Sequence, residues 1–320
     1  MWAYQLTTPH QLTMVELPAP TETSLQDGEV LLRSLAGGIC GSDIPKFEAR
    51  PQPGAPGGRP LPGPIGFPLH EIVGEVVVSR ADKLNVGDRV VGWASASNGL
   101  AEYVVTDGDR VATYDPALDP IDAVLVQPLA CVLNALDRVD VRNRHVAVLG
   151  LGPIGALFAH TARARGASQV TGVDPVDRAA LGSSLGFDTV QADSDRWLQA
   201  LVDGDRPAIC IEAVGHQTQT LNHALHATAA GGTVIYFGIP DEAIYPVDIE
   251  RLMRARLTLI GGVTVDHRRA LDSADRHLAA HPELNELLVT HTFDRSHAQQ
   301  AFEIAGSACA DRVKVVLDLR

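Results

Sequence analysis

The chain has 320 residues, 45% of them hydrophobic, and a formal net charge of −13 from 26 basic and 39 acidic side chains. This length predicts about two domains, and the acidic balance argues against a nucleic-acid partner, whose phosphates need clustered Lys and Arg. The longest uncharged apolar stretch, near 146–159, is too short for a membrane span of roughly 20 residues, so no membrane partner is expected.

The N-terminus and the cysteines predict a cytoplasmic protein. The first twelve residues, MWAYQLTTPHQL, lack the basic start and the apolar run of a signal peptide. Four cysteines lie far apart in the sequence, which fits a reducing compartment better than a disulfide framework. They are Cys40, Cys131, Cys210 and Cys309.

The first 125 residues predict an all-β region, because short β-rich runs alternate with Gly, Pro and Asp-Gly turn signals. These runs are WAYQL, EVLLRSL, HEIVGEVVVS, DRVVGW and AEYVVT. Residues 49–68 hold seven Pro and five Gly, so many breakers that a loop is predicted. A loop of this length is commonly functional or disordered.

The remaining chain predicts a parallel sheet, since apolar strand patterns alternate with helical patterns at the spacing of right-handed βαβ units. The strand patterns are VAVLG, QVTGVD, PAICIEAVG, TVIYFGI and LTLIGGV. Helices are expected to end near Arg165, Leu185 and Ala229, with another over 267–280. The C-terminal tail, with the strand patterns THTFDRS and VKVVLDL and a short helix near 296–305, is predicted to be α+β. It could fold back onto the first region.

A G-x-G-x-x-G pattern, GLGPIG, closes one predicted strand and opens a helix. Its glycines permit a tight turn, a close backbone approach to a pyrophosphate and close helix–strand packing. The helix N-terminus beyond it offers unpaired N–H groups to phosphates. The alternative is an unoccupied βαβ turn. The candidate cofactor residues here are Gly150, Gly152, Pro153, Ile154 and Gly155.

Asp174 ends the next predicted strand, 24 residues after Gly150, where an acid can accept hydrogen bonds from the adenosine ribose. A carboxylate at this position repels a 2′-phosphate, so NAD is favoured over NADP. Arg178 could instead attract that phosphate, or it could simply be solvated.

A cysteine, a histidine and carboxylates recur in the first region. Cys40-Gly41-Ser42-Asp43 is followed thirty residues after the cysteine by His70-Glu71. Thiolate, imidazole and carboxylate are the ligands of catalytic zinc. By themselves, however, a single Cys is usually a small buried hydrophobe, and a lone His beside Glu is ordinary.

Taken together, these motifs resemble the medium-chain dehydrogenase/reductase family, in its zinc-dependent alcohol and polyol (sorbitol-like) dehydrogenase branch. The resemblance rests on GGICGSD, HEIVGEV, VGDRV, GLAEYVV, QPLACVLNAL, VLGLGPIGALFA, IEAVG, GGTVIYFGIP and DRVKVVLDL. It implies an α/β fold: a Rossmann doubly wound parallel sheet inserted in a mainly β, partly open barrel-like catalytic domain. The expected boundaries are 1–126 and 265–320 for the catalytic domain and 127–264 for the NAD-binding domain.

Carried over by position, the resemblance implies that Cys40 and His70 are zinc ligands. Glu71 is a third candidate, but neighbours on a regular strand point to opposite faces, so it can share the metal only if the backbone is irregular there. Asp43 is expected to hold the far nitrogen of His70, with a local turn cap as the alternative. Ser42 matches the hydroxyl that takes the substrate's proton, with a local hydrogen bond as its alternative.

The chain also departs from the family's pattern. Gln127 stands where a Glu or Cys is usual near the metal, and is expected to hydrogen-bond a metal-bound water. Cys131, one helical turn further, could be a substitute ligand or core packing. Leu69 replaces the usual Gly, and Pro45 replaces a proton-passing His. The four-cysteine structural zinc lobe is missing, so one catalytic zinc per chain is expected.

The resemblance assigns further backbone segments to the cofactor, with ordinary strand ends of a parallel sheet as the alternative. These residues are Val214, Gly215, Gly238, Ile239 and Gly262. The resemblance also suggests a homodimer or homotetramer, which could pair the edge strand near 257–263 across a two-fold axis.

The expected function is zinc-dependent hydride transfer between NAD and a secondary alcohol, such as a polyol, sugar alcohol or cyclitol. Lys46, Arg50 and Arg59 could receive an anionic group of the substrate, although a loop charge is usually only solvated. The alternatives are a zinc-free quinone or enoyl reductase, which Gln127 favours, and a nucleotide-binding protein without turnover.

Overall fold

The computed structural model describes residues 1–51, 53, 59–182 and 184–320 of the chain. Of these, residues 1–51, 59–130 and 265–320 form one compact unit, and Pro53 with residues 131–264 forms a second. The predicted loop at 49–68 lies partly outside the described residues. Within the described ranges no helix is long and apolar enough to cross a bilayer.

The elements follow one another in a mainly β, then βαβ, then mixed order. The strands are β1 (Trp2–Thr8), β2 (Gln11–Glu16), β3 (Glu29–Ile39), β4 (Glu71–Ser79), β5 (Arg89–Trp93), β6 (Tyr103–Asp107), β7 (Val111–Thr113), β8 (His145–Leu149), β9 (Gln169–Val173), β10 (Thr189–Gln191), β11 (Ile209–Glu212), β12 (Thr233–Tyr236), β13 (Thr258–Ile260), β14 (Val289–Asp294) and β15 (Lys314–Asp318). The α-helices are α1 (Ile44–Phe47), α2 (Pro120–Ala123), α3 (Val126–Leu136), α4 (Pro153–Ala164), α5 (Ala179–Gly182), α6 (Ser194–Ala200), α7 (Gln219–Ala227), α8 (Ile249–Arg254), α9 (His267–Ala280), α10 (Glu283–Leu288) and α11 (Ala298–Gly306).

The first unit is built on a mainly antiparallel sheet in the order β14-β15-β3-β4-β5-β7, with β6 also paired to β3. The long strand β3 serves two partners along one edge: residues 29–33 pair with β6, and residues 36–39 pair with β15. A register shift between Ser34 and Ala36 separates the two halves. The C-terminal tail therefore completes the sheet that the N-terminal region begins.

Apolar side chains from both faces of these strands form the core of the first unit. One buried cluster lies against α11 and includes Leu6, Phe47, Phe302 and Leu317. A second cluster is made of alternate residues of β3, β4 and β5, such as Val30, Val76 and Val90. The period-2 alternation of these strands thus matches the β-rich pattern of the sequence.

The second unit is built on a six-stranded parallel sheet in the order β10-β9-β8-β11-β12-β13. The strands run outward from β8 in one direction and then return to its other side with β11, which is the doubly wound order of a Rossmann fold. The predicted fold class, a parallel Rossmann sheet together with a separate mainly β sheet, is confirmed.

The predicted helices agree with the sequence patterns. The helices α4, α7 and α9 lie close to the predicted spans, and the helix expected to end near Leu185 is described over Ala179–Gly182. The N–H of Leu185 donates to the main-chain oxygen of Leu181 at 3.0 Å, and Gly186 has a φ of 84°, a left-handed conformation typical of a helix C-terminus. The strands β2, β7 and β10 and the short helices α1, α2, α6, α8 and α10 were not predicted.

The glycine turn between β8 and α4 is the tightest part of the second unit. Gly150 has a φ of 87°, a left-handed conformation that favours glycine. A Cβ on Gly155 would lie 1.8 Å from the main-chain oxygen of Gly150. Helix α4 can therefore pack this closely against β8 only because Gly155 has no side chain.

Gly155→Ala should lower the free energy of unfolding by about 3 kcal/mol, because the added methyl group meets backbone rather than a movable side chain. The matched control is Gly152→Ala, since a Cβ on Gly152 meets nothing within 4 Å. Urea denaturation of the two variants would measure the difference. Equal stability of both would contradict this account of the turn.

A buried ion pair crosses β3 in the first unit. Glu71 at the start of β4 and Lys314 at the start of β15 are each 1% exposed and form a direct salt bridge. The Lys314 ammonium also donates to the main-chain oxygen of Ile39 at 3.1 Å. Gly38 lies between them, and a Cβ there would be 2.2 Å from Glu71 Oε2. The absence of a side chain at Gly38 makes room for the pair.

Lys314→Met should destabilise the protein by about 3 kcal/mol, because it removes one partner of a buried pair and leaves the other charge uncompensated. Adding Glu71→Gln to Lys314→Met should recover part of this loss, because the remaining charge is then removed as well. Chemical denaturation of wild type, single and double variants gives the coupling energy. Additive effects of the two substitutions would show that the pair does not act as a unit.

Candidate functional site

Cys40 lies immediately after β3, where the chain enters a 3₁₀ turn over Gly41–Asp43. The main-chain N–H of Asp43 donates to the main-chain oxygen of Cys40 at 2.9 Å. The N–H of Cys40 in turn donates to Asp43 Oδ2 at 3.2 Å. The Asp43 carboxylate thus stabilises its own turn, as the local alternative for this residue predicts, and Ser42 is half-buried in the same turn.

The same carboxylate also binds His70. Nδ1 of His70 lies 2.7 Å from Asp43 Oδ1, so the acid accepts the Nδ1 proton and Nε2 is the ring nitrogen left for a ligand. Asp43 is 0% exposed. Both interpretations of Asp43 from the sequence therefore apply at once, because its two oxygens have different partners.

Cys40, His70 and Glu71 converge. A sulfur, a ring nitrogen and a carboxylate oxygen, one from each residue, all lie within 4.8 Å of one another. His70 precedes β4, which begins at Glu71, so the alternation of side chains along a regular strand does not separate the two. The structure thereby removes the geometric objection to Glu71.

Zinc fits this set of donors. Thiolate, imidazole and carboxylate are the ligand types of catalytic zinc. Oε2 of Glu71 is used by Lys314, but Oε1 is buried without a hydrogen-bond partner among the described residues. A buried carboxylate oxygen without a donor is costly, and a cation near Cys40 and His70 would supply the missing partner.

The electrostatic interaction between Asp43 and His70 favours the charged form of both groups. Burial by itself lowers the pKa of His70, but the charge and hydrogen bond of Asp43 outweigh it and raise that pKa to about 10. Burial alone would raise the pKa of Asp43, yet His70, and secondarily Lys46, hold it below its usual range. Metal binding at His70 therefore displaces a proton.

The three cations considered for an anionic substrate each have a local partner. Lys46 donates to Asp43 Oδ1 at 3.3 Å, and Arg50 pairs with Glu48 at 2.5 Å. The guanidinium of Arg59 lies over the ring of Phe67, 4.9 Å from its centroid. These contacts reduce the support for an anionic subsite here.

The departures from the family's pattern lie on regular elements. Gln127 is buried in the first turn of α3, and Cys131 is one turn further along the same helix. Leu69 is fully buried, and its side chain would be 2.5 Å from a Cβ on Gly37. A glycine in β3 thus accommodates the bulk that Leu69 adds beside His70. Pro45 is buried at the start of α1.

In the second unit, Asp174 is tied to the glycine turn. Its Oδ2 accepts from the N–H of Leu151 at 2.6 Å, and its Oδ1 accepts from the N–H of Val176 at 2.8 Å. The Asp174 carboxylate and the glycine turn, which would face a dinucleotide, are therefore joined by hydrogen bonds into a single structure.

Arg178 is 3% exposed, so the expectation of a merely solvated arginine is wrong.

The turns that follow β11 and β12 are also joined. The N–H of His216 donates to the main-chain oxygen of Ile239 at 2.9 Å. A Cβ on Gly238 would lie 2.2 Å from the nitrogen of Gly215. The structure thus brings Val214, Gly215, Gly238 and Ile239 together at the carboxyl ends of neighbouring strands.

Gly262 follows β13 and has a φ of 156°. Its neighbour Gly261 accepts a hydrogen bond at 2.5 Å from the guanidinium of Arg138. This arginine therefore anchors the segment that the sequence singled out after β13.

Two buried charged residues, Lys314 and Glu212, were not predicted from the sequence. The signal was present in both, because each lies in an otherwise apolar strand pattern, VKVVL and ICIE. Charged residues are almost never fully buried unless they are paired, so a charge inside such a pattern indicates a partner that the sequence does not name.

Two family profiles match successive parts of the chain. Residues 26–116 match the alcohol dehydrogenase GroES-like domain, and residues 153–279 match the zinc-binding dehydrogenase domain. The first match includes Cys40, His70 and Glu71, and the second begins within the glycine turn.

Characterised relatives align over nearly the whole chain. A sorbitol dehydrogenase from Bombyx mori is 26% identical over 94% of each chain. A D-altritol 5-dehydrogenase from Agrobacterium fabrum is 28% identical, over 91% of this chain and 92% of the relative. An L-threonine 3-dehydrogenase from Pyrococcus horikoshii is 25% identical, over 96% and 95%.

An alcohol dehydrogenase from Thermus sp. ATN1 has the same fold, with a TM-score of 0.85, 24% identity and complete coverage of both chains. The two domain profiles, the full-length relatives and this fold agree with the ligand-type cluster and the glycine turn. The chain belongs to the zinc-type medium-chain dehydrogenase family.

Proposed function

We propose that this protein is a zinc-dependent oxidoreductase that transfers a hydride between NAD and a secondary alcohol, in particular a polyol, sugar alcohol or cyclitol. The observation that carries the proposal is the convergence of Cys40, His70 and Glu71 within 4.8 Å, with Asp43 bonded to the far side of the imidazole. A zinc-free reductase would have no use for this arrangement.

Cys40, His70 and Glu71 would hold the zinc, with one ion per chain. When bound, zinc would supply Lewis-acid polarisation of the substrate oxygen, and the nicotinamide would supply the hydride acceptor. Asp43 keeps Nε2 of His70 oriented for the metal. The buried Gln127 amide is neutral, so we assign it to hydrogen bonding a water at the site rather than to ligation.

Ser42 is the residue that accepts the hydroxyl proton of the alcohol. It lies between Cys40 and Asp43 in the 3₁₀ turn and is half-buried, so its position is set by the same hydrogen bonds that orient the ligands. Pro45 cannot pass a proton on. The proton therefore leaves to water or to a substrate group.

Asp174 favours NAD over NADP. Its carboxylate is held at the glycine turn by Leu151 and Val176, and each oxygen keeps a lone pair that can accept from a ribose hydroxyl. A 2′-phosphate in the same place would meet a fixed negative charge.

The sugar-alcohol class of substrate is supported by the relatives named for sorbitol and D-altritol. A relative named for L-threonine shows that the family also includes a different substrate class. We favour an uncharged polyol because Lys46, Arg50 and Arg59 already have local partners.

The protein is proposed to be a cytoplasmic homodimer or homotetramer. The strand β13 lies at one edge of the parallel sheet, and Leu259 on it is exposed. Ile249 and Met253 on α8 are also exposed, so this unit offers both an edge strand and exposed apolar side chains for a partner. Within the described residues no two cysteines are joined by a disulfide, as a reducing compartment favours.

Metal analysis of the purified protein tests the proposal. Wild type should contain about one zinc per chain, and Cys40→Ser should lose it, because a hydroxyl is a far poorer ligand than a thiolate. Cys309→Ser is the matched control, since Cys309 is exposed and bonded to Asp311. Zinc-free wild-type protein that still binds NADH would refute the Lewis-acid mechanism and favour metal-free reduction or a binding role.

Asp174→Ser should lower the ratio of kcat/KM for NAD to that for NADP by about tenfold or more. The variant loses the charged acceptor for the ribose hydroxyls of NAD, and hydrogen bonds to a charged group contribute roughly 1.5–3 kcal/mol. The ratio is the readout, since loss of the bond to Leu151 affects both cofactors equally. Asp177→Ser is the control for nearby charge alone. An unchanged ratio would show that Asp174 does not select the cofactor.

A further inference from the structure

Glu212 is a fully buried acid at the carboxyl end of β11. It is 0% exposed and follows the apolar residues Ile209, Cys210 and Ile211. In an open parallel sheet, ligands bind beyond the carboxyl ends of the strands. This residue therefore lies at the ligand-binding edge of the second unit, directly before the turn of Val214 and Gly215.

One carboxylate oxygen of Glu212 organises the turn that follows β11. Oε1 accepts from the N–H of Val214 at 3.2 Å and from the N–H of Gly215 at 3.1 Å. It also accepts from the hydroxyl of Thr220 on α7 at 2.7 Å. The carboxylate thus performs the role of a helix or turn cap from inside the sheet.

The main chain of Glu212 holds the turn after β12. Its carbonyl oxygen accepts from the N–H of Phe237 at 2.9 Å and from the N–H of Gly238 at 3.1 Å. A Cβ on Gly238 would lie 2.6 Å from Glu212 Oε2. Two turns on neighbouring strands therefore close around a single residue.

Burial of this carboxylate disfavours its charged form. Burial raises the pKa of Glu212, and the hydrogen bonds from Thr220, Gly215 and Val214 only partly oppose it. Among the described residues Oε2 has no hydrogen-bond partner, and no Lys or Arg forms an ion pair with this carboxylate. An apolar residue would fit the strand pattern without this desolvation, but it would leave the donors of Val214, Gly215 and Thr220 without their acceptor.

We propose that Glu212 is a positioning residue that locks the 213–216 and 237–239 turns together and so orients the nicotinamide end of the bound dinucleotide. This inference rests on the proposed function and on the family resemblance, which assigns residues of both turns to the cofactor. Glu212 acts through the turns and is not itself in contact with the ring. The adenosine end, held by the glycine turn and Asp174, is independent of it.

Binding of two ligands distinguishes contacts to the nicotinamide end of the dinucleotide from contacts to its adenosine end. NADH contains both ends, whereas ADP-ribose has the adenosine, the pyrophosphate and the second ribose but no nicotinamide. Glu212→Ala should raise the Kd for NADH by about tenfold, as expected for the loss of one or two hydrogen bonds. The Kd for ADP-ribose should change by less than about twofold.

Thr220→Val is a milder variant that removes a single donor to Oε1. It should raise the Kd for NADH by about threefold while leaving the affinity for ADP-ribose unchanged. Cys210→Ala is the matched control, because Cys210 is equally buried two residues earlier on the same strand. Calorimetric titration of all variants, after thermal melts confirm folding, gives the ratio of the two Kd values.

A raised ratio of NADH Kd to ADP-ribose Kd in Glu212→Ala and Thr220→Val, but not in Cys210→Ala, supports the inference. Equal changes for both ligands, no change, or the same shift in Cys210→Ala would overturn it. If Glu212→Ala does not fold, Thr220→Val decides by the same ratio. Wild-type protein that binds neither ligand would instead refute the proposed function, and the inference with it.

Discussion

The candidate metal site depends on one buried carboxylate, Asp43. Its two oxygens accept from the main chain of Cys40 and from the imidazole of His70, 27 residues further along the chain. A carboxylate buried without donors is unfavourable, so the contacts that stabilise its charge are also those that fix both candidate ligands. The same hydrogen bonds therefore stabilise the fold around Asp43 and fix the geometry of the site.

The second unit uses acids in a related way. Asp174 at the end of β9 binds the N–H of Leu151 in the glycine turn, and Glu212 at the end of β11 binds N–H groups of the turn that follows it. Turns at the ends of parallel strands expose main-chain N–H groups that no ladder satisfies. A carboxylate at a strand end supplies the acceptor and holds the turn in one conformation.

Several of these features oppose local stability. Glu71 and Lys314 are both buried, which an apolar pair would avoid, and Gly37 and Gly38 lie in β3, where they make room for Leu69 and this pair. Both glycines stay paired within β3, but glycine in a strand weakens it. Such departures from the best local choice concentrate where a site has to be built, and here they surround the cluster of Cys40, His70 and Glu71.

The amino-acid sequence by itself determined most of the strands, some of the helices, the parallel and mainly β regions and the glycine turn, and its family resemblance indicated the candidate residues Cys40, Asp43 and His70. These depend on periodicity and on residues close together in the chain, or on motifs with a fixed spacing. Tertiary structure alone decided that Glu71 faces the cluster and pairs with Lys314, 243 residues away. It also decided that Glu212 joins two turns. Such contacts depend on sheet register and burial, because the strands that lie side by side determine which residue is close enough to pair with a buried charge.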